Sequence, residues 1–282
     1  MFKQKEPVSH YINCEGYEIH VTEWGVDHPK SILMWHGLAR TGRDFDALAE
    51  ALSSEYRVLC PDTLGRGLSA WSTKPEEEYC FEFYGKIALK ICEVFGFYMF
   101  DFIGTSMGGA LGMHLAAGPL KANIDHLVIN DIAPELAAPA VERILSYAGN
   151  PPVFNTIMEL EDYLRTIYEP YGYIPDEQWR VMSESSYRRL ENGQITLHYD
   201  PKMVQQFISH PDDYTQWETY DKITQPTLLL RGQNSDLLLP EWAERMMNTG
   251  PKAHLVQIPN CGHAPALNNM QQIELVKDFL QS

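Results

Sequence analysis

The stretch from Met99 to Gly118, Met-Phe-Asp-Phe-Ile-Gly-Thr-Ser-Met-Gly-Gly-Ala-Leu-Gly-Met-His-Leu-Ala-Ala-Gly, constrains this chain more than any other. Its first part is short, apolar and aromatic, as a buried strand is, and its second is small and apolar over more than two turns, as a buried helix is. Ser106 falls at the junction, within Gly104-Thr105-Ser106-Met107-Gly108. A chain that reverses so tightly needs glycine at 104 and 108, because a side chain at either place would meet neighbouring backbone. The turn pushes the serine hydroxyl outward and leaves the first helical amide, that of Met107, unpaired and aimed at whatever the hydroxyl attacks. The pattern predicts a serine nucleophile on a strand–turn–helix unit.

A serine needs a histidine to take its proton and a carboxylate to hold that histidine. Residues 226–232, Pro-Thr-Leu-Leu-Leu-Arg-Gly, read as a second buried strand, and Gln-Asn-Ser-Asp places Asp236 in the loop beyond it. A helix over Pro240 to Asn248 and a strand over His254 to Ile258 lead to Pro259-Asn260-Cys261-Gly262-His263. In a parallel sheet the carboxyl ends of the strands share one edge, so Ser106, Asp236 and His263 can converge.

The order Ser, Asp, His resembles that of the α/β-hydrolase superfamily, and the likeness extends over nearly the whole chain. His36-Gly37-Leu38 resembles the family's oxyanion loop, and Asp62-Thr63-Leu64-Gly65-Arg66-Gly67-Leu68-Ser69 its Asp-x-x-Gly-x-Gly-x-Ser turn. The resemblance implies an oxyanion hole made by the amides of Leu38 and Met107. Asn130-Asp131-Ile132-Ala133-Pro134, His198-Tyr199-Asp200-Pro201 and Ser235-Asp236-Leu237-Leu238 are similar to segments of bacterial hydrolases regarded as esterases. Some hydrolases of this fold take their carboxylate from the place of Asp131; the sequence reading prefers Asp236 and leaves Asp131 to hold the start of an insertion. Dehalogenases and epoxide hydrolases of the fold carry aspartate at the elbow, where this chain has serine.

Strand and helix signals alternate up to the strand Asp125 to Asp131, starting from a hairpin over Val8 to Trp24 that turns at Glu15-Gly16. From Pro134 to Tyr220 only helical periodicity is found, as in Ile157, Leu160, Leu164 and Ile167. The expected organisation is a discontinuous α/β-hydrolase core, residues 1–133 and 221–282, with an all-helical cap over 134–220. By the resemblance, such a cap roofs the active site. It holds nine of the fifteen tyrosines (147, 163, 168, 171, 173, 187, 199, 214 and 220), side chains that combine apolar area with a polar handle. Tyr199 is a candidate substrate contact. Arg40 either meets substrate or braces its loop through Asp44 or Asp62, and Trp71 belongs either to the pocket wall or to the core.

The net charge of −16, with no basic run longer than Arg188-Arg189, argues against nucleic acid and anionic membranes as partners. Ten histidines without His-x-His or His-x-x-x-His spacing predict no metal site, and no phosphate-loop pattern surrounds Ser106. Five cysteines (14, 60, 80, 92 and 261) without CxxC spacing read as reduced thiols. Met-Phe-Lys-Gln-Lys-Glu-Pro lacks a signal peptide's apolar segment, so a cytoplasmic protein is expected. The resemblance thus implies a cofactor-free serine hydrolase acting on short to medium acyl esters, with lactones such as acyl-homoserine lactones as further candidates. A carbon–carbon bond hydrolase of ring-fission products and a non-catalytic small-ligand receptor of the same fold stay open.

Overall fold

Strand β1 (Val8–Cys14) turns at Glu15-Gly16 into β2 (Tyr17–Trp24). Both turn residues have positive φ, 53° and 89°, the backbone twist that a two-residue hairpin needs. The computed structural model describes residues 6–282, so the first five residues of the amino-terminal reading lie outside it. Beyond the hairpin come β3 (Lys30–Trp35), β4 (Tyr56–Pro61), β5 (Phe100–Thr105) and β6 (Ile124–Asn130). The insertion adds β7 (Val153–Phe154), β8 (Tyr187–Arg189) and β9 (Ile195–Leu197), and β10 (Thr227–Gly232) and β11 (His254–Ile258) complete the core.

The core is an eight-stranded sheet in the order β1-β2-β4-β3-β5-β6-β10-β11. β1 and β2 pair antiparallel and β2 meets β4 antiparallel; the other neighbours are parallel. Because the parallel strands are covered on both faces, they read as continuous apolar runs rather than alternating ones. Leu33, Trp35, Phe102, Ile129 and Leu229 pack beneath the helix Met107–Ala117, while Ile32, Met34, Ile103, Val128 and Leu230 face the helices Asp46–Leu52 and Met270–Leu280.

Register brings the ends of these strands level. Trp35 lies opposite Gly104, Thr105 opposite Asn130, and Leu230 opposite Asn130. Thus His36-Gly37-Leu38, Ser106, Asp131 and the loop after Gly232 leave the sheet along one edge.

Between β6 and β10 the chain builds a cap. Its helices include Ala138–Ala148, Ile157–Ile167 and Asp176–Glu184, in keeping with the helical periodicity. The cap also contains a small antiparallel sheet, β7-β9-β8, which the sequence reading did not anticipate. Strands of two and three residues are too short to display an alternation, and the bend that joins β8 to β9 at Gly193 was the remaining cue. Among the described residues no helix is long and apolar enough to cross a membrane.

Candidate active site

Ser106 heads the helix Met107–Ala117 with φ 53° and ψ −117°, a strained conformation for a residue bearing a side chain. Two contacts make it possible. A Cβ on Gly104 would stand 2.2 Å from the carbonyl oxygen of Gly108, and one on Gly108 would stand 1.9 Å from that of Trp35. Neither position can hold any residue but glycine without moving backbone. The Ser106 amide donates to the Asn130 carbonyl (2.9 Å), pinning the turn to the end of β6.

His263 reaches back from the loop after β11, its Nε2 2.9 Å from Ser106 Oγ. Its Nδ1 lies 2.8 Å from Asp131 Oδ2. Asp131 is fully buried and follows β6 directly, in the left-handed region at φ 60°. Its Oδ2 also accepts from the Ser235 hydroxyl (2.6 Å), and its Oδ1 from the Gly232 amide (2.7 Å).

The structure thereby corrects the placement expected for Asp236, which does not meet His263 through a hydrogen bond. The cause lies in Arg231, a buried side chain whose guanidinium donates to the carbonyls of Leu238 (2.8 Å), Gln233 (3.1 Å) and Ser235 (3.3 Å). Wound around this cation, the loop turns Ser235 toward Asp131 and Asp236 toward the cap, where Asp236 pairs with Arg143 on the wall of the cavity that holds Ser106.

The loop after β3 is held from two sides. His36 donates from Nδ1 to the Gly37 carbonyl (2.6 Å) and accepts at Nε2 from the Thr63 amide (2.9 Å), which fixes a neutral tautomer. Burial brings its pKa down to about 4. Arg66 donates from Nε to the Leu38 carbonyl (3.0 Å) and lies 3.7 Å from Met107 Sδ. One buried arginine therefore touches both residues expected to supply the oxyanion amides. A Cβ on Gly37 would lie 3.7 Å from Ser106 Cβ, so this loop passes close beside the serine.

Ser106 and His263 open into a cavity of about 400 Å³. The core contributes Leu38 and Arg40, and the cap contributes Ile144, Tyr147, Tyr163, Tyr168 and Tyr171. A second cavity of about 310 Å³ behind the oxyanion loop shares Gly37 and Tyr171 with the first but includes neither Ser106 nor His263. Among the described residues no group of three or more His, Cys, Asp or Glu side chains could hold a metal ion.

A model of the alpha/beta hydrolase family matches residues 32–274. The chain belongs to this family. It is 37% identical over 267 residues to the 3-hydroxybutyrate-oligomer hydrolase of Cupriavidus necator, spanning 91% of this chain and 90% of that one. It is 25% identical over 234 residues to the 2-(acetamidomethylene)succinate hydrolase of Mesorhizobium japonicum, spanning 82% and 81%. Among solved structures, an alpha/beta hydrolase from Novosphingobium aromaticivorans superposes with a TM-score of 0.85 at 31% identity, covering 98% of both chains.

Within this alpha/beta hydrolase the three candidate substrate contacts are distributed unequally. Arg40 lines the cavity, but its guanidinium donates twice to Asp44 (2.6 and 2.7 Å) and once to Ser186 (2.9 Å), with Tyr168 4.9 Å away. It braces its loop, and does so through Asp44 rather than Asp62. Trp71 and Tyr199 are not on the cavity wall: Trp71 stacks against Arg188 at 4.3 Å, and Tyr199 is buried in the hydrophobic core. The aromatic signal was right for the cap and silent on which rings face inward.

Sequence reasoning passed over Ser235, Arg66, Asn130 and Arg143. The first three sit inside motifs that it quoted, so the motifs themselves were the available signal. Asn130 donates to Thr105 Oγ1 (3.1 Å) and to the Pro265 carbonyl (2.9 Å), tying the elbow strand to the histidine loop. The hydrolase also contains a second serine–histidine–aspartate chain. Ser9 Oγ lies 3.0 Å from His20 Nε2, whose Nδ1 lies 2.9 Å from Asp62 Oδ2. Asp62 also accepts the amides of Gly42 and Leu68, so this chain stitches the hairpin to its neighbouring turns. Ser9 stands within a strand ladder, opposite Thr22, and not at the head of a helix.

Proposed function

We propose that this alpha/beta hydrolase cleaves short carboxylic esters through an acyl-enzyme on Ser106. The hydrogen-bonded chain Ser106–His263–Asp131 at the floor of the capped cavity carries this reading. Ser106 attacks the ester carbonyl while its proton passes to His263 Nε2, and Asp131 holds the Nδ1–H and stabilises the imidazolium. The amides of Leu38 and Met107 receive the oxyanion, each contributing roughly 3 kcal/mol to the transition state. His263 then returns the proton to the leaving alcohol, and water repeats the cycle to free the acid.

Size and kinship narrow the substrate. A volume of about 400 Å³ is near the lower end of the roughly 300–1,000 Å³ of small-molecule sites, which suits esters of a few units rather than long lipids. The relative from Cupriavidus necator acts, by its name, on oligomers of 3-hydroxybutyrate, and short oligoesters of a hydroxy acid are the class proposed here. Ring lactones of similar size fall within the same chemistry.

Labelling with a fluorophosphonate should shift the mass of the peptide containing Ser106 and of no other. Ser106→Ala should abolish the label and lower p-nitrophenyl butyrate turnover by at least about 10³-fold. A label elsewhere with Ser106 untouched, or near-normal turnover in Ser106→Ala, would overturn the assignment.

A further inference from the structure

Two cations reach the wall of the catalytic cavity, Arg40 and Arg143. Arg40 is fully engaged, as described. Arg143 is not. It stands on the cap helix Ala138–Ala148, half exposed, and only its Nη1 is engaged, by Asp236 from the core. Its Nε and Nη2 have no partner among the described residues. Partial burial pushes the Asp236 carboxyl up, but the hydrogen bond and charge of Arg143 outweigh that and hold it below the ordinary range. Both groups are therefore charged at neutral pH, and Asp236 fixes a planar guanidinium at one corner while the opposite edge stays open. An open guanidinium edge is a two-donor fork of the spacing that a carboxylate accepts.

We propose that Arg143 receives a free carboxylate of the substrate, so that the enzyme selects short esters ending in an acid group. The inference rests on the ester-hydrolase reading above and assigns that site's specificity. A linear oligoester of a hydroxy acid has one such end, and its methyl ester has none. Asp236 positions the arginine and, as a like charge, limits how tightly the acid product is retained.

The test compares the linear dimer of 3-hydroxybutyrate with its methyl ester. Wild-type protein should favour the free acid by about tenfold in kcat/KM, mostly through KM, as one charge-assisted contact provides. Arg143→Gln should bring the ratio near one, and Arg143→Lys should retain part of it. Since Arg143→Gln leaves Asp236 unpaired, a second measurement uses wild type alone: free 3-hydroxybutyrate should inhibit p-nitrophenyl butyrate hydrolysis about tenfold more tightly than its amide. A wild-type ratio near one, equal inhibition by acid and amide, or a preference that survives Arg143→Gln overturns the inference. If wild-type protein fails to turn over p-nitrophenyl butyrate at all, the ester-hydrolase reading itself falls, and this inference with it.

Discussion

Asp131 and Asp236 pose the sharpest question at the scale of single residues, because each follows one of two adjacent parallel strands, β6 and β10. Sequence places both at the same sheet edge and cannot say which turns inward. That choice depends on Arg231, which draws three carbonyls of its loop around itself, a tertiary arrangement with no periodic signature. The proposed relay predicts unequal consequences of amidation. In Asp131→Asn the one remaining side-chain oxygen satisfies the Gly232 amide, leaving NH₂ to face His263 Nδ1 and forcing the wrong tautomer. A loss of about 10⁴-fold in kcat is expected, as when a triad aspartate is amidated elsewhere, against about tenfold or less for Asp236→Asn. Steady-state kinetics on p-nitrophenyl butyrate decides it, and the reverse ranking would return the role to Asp236.

The segments around the site were legible wherever a local pattern determined them. The elbow, the strands β10 and β11 and the helix Pro240–Asn248 agree with their sequence patterns because apolar runs and glycines act over a few residues. The oxyanion loop is different, since its shape depends on His36 and Arg66 gripping two successive carbonyls. His36 gives this element a pH dependence. Its imidazole titrates near 6.5 when unfolded and is pulled down to about 4 by burial in the fold. Between those values the unfolded chain binds the proton and the folded chain does not, so stability present above pH 6.5 is lost as pH falls towards 4. His198, brought down to about 3 by burial and the charge of Arg40, acts in the same direction. For His36 alone the separation corresponds to about 3 kcal/mol when complete. Urea unfolding should show a midpoint clearly lower at pH 5 than at pH 7.5, and an unchanged or higher midpoint would mean that these rings do not stay neutral in the fold.

For the whole molecule, the division into sheet and cap was readable from the point where strand and helix cease to alternate. How the two halves are joined was not, because each join links residues far apart in sequence. Arg40 bonds Ser186, Gln216 donates its side-chain amide to the Ala110 carbonyl, and the Gly262 amide donates to the Pro170 carbonyl at 2.6 Å. The last join has a use. Gly262 precedes His263, and Pro170 belongs to the cap, so one proton is sequestered only while roof and base stay together. Its hydrogen exchange is thus a natural gauge of breathing: deuterium uptake at Gly262 should slow when an inhibitor fills the cavity and quicken when Arg40→Ala loosens the roof. Uptake indifferent to both would mean that the roof rides rigidly on the core, and that substrate must enter through its mouth without lifting it.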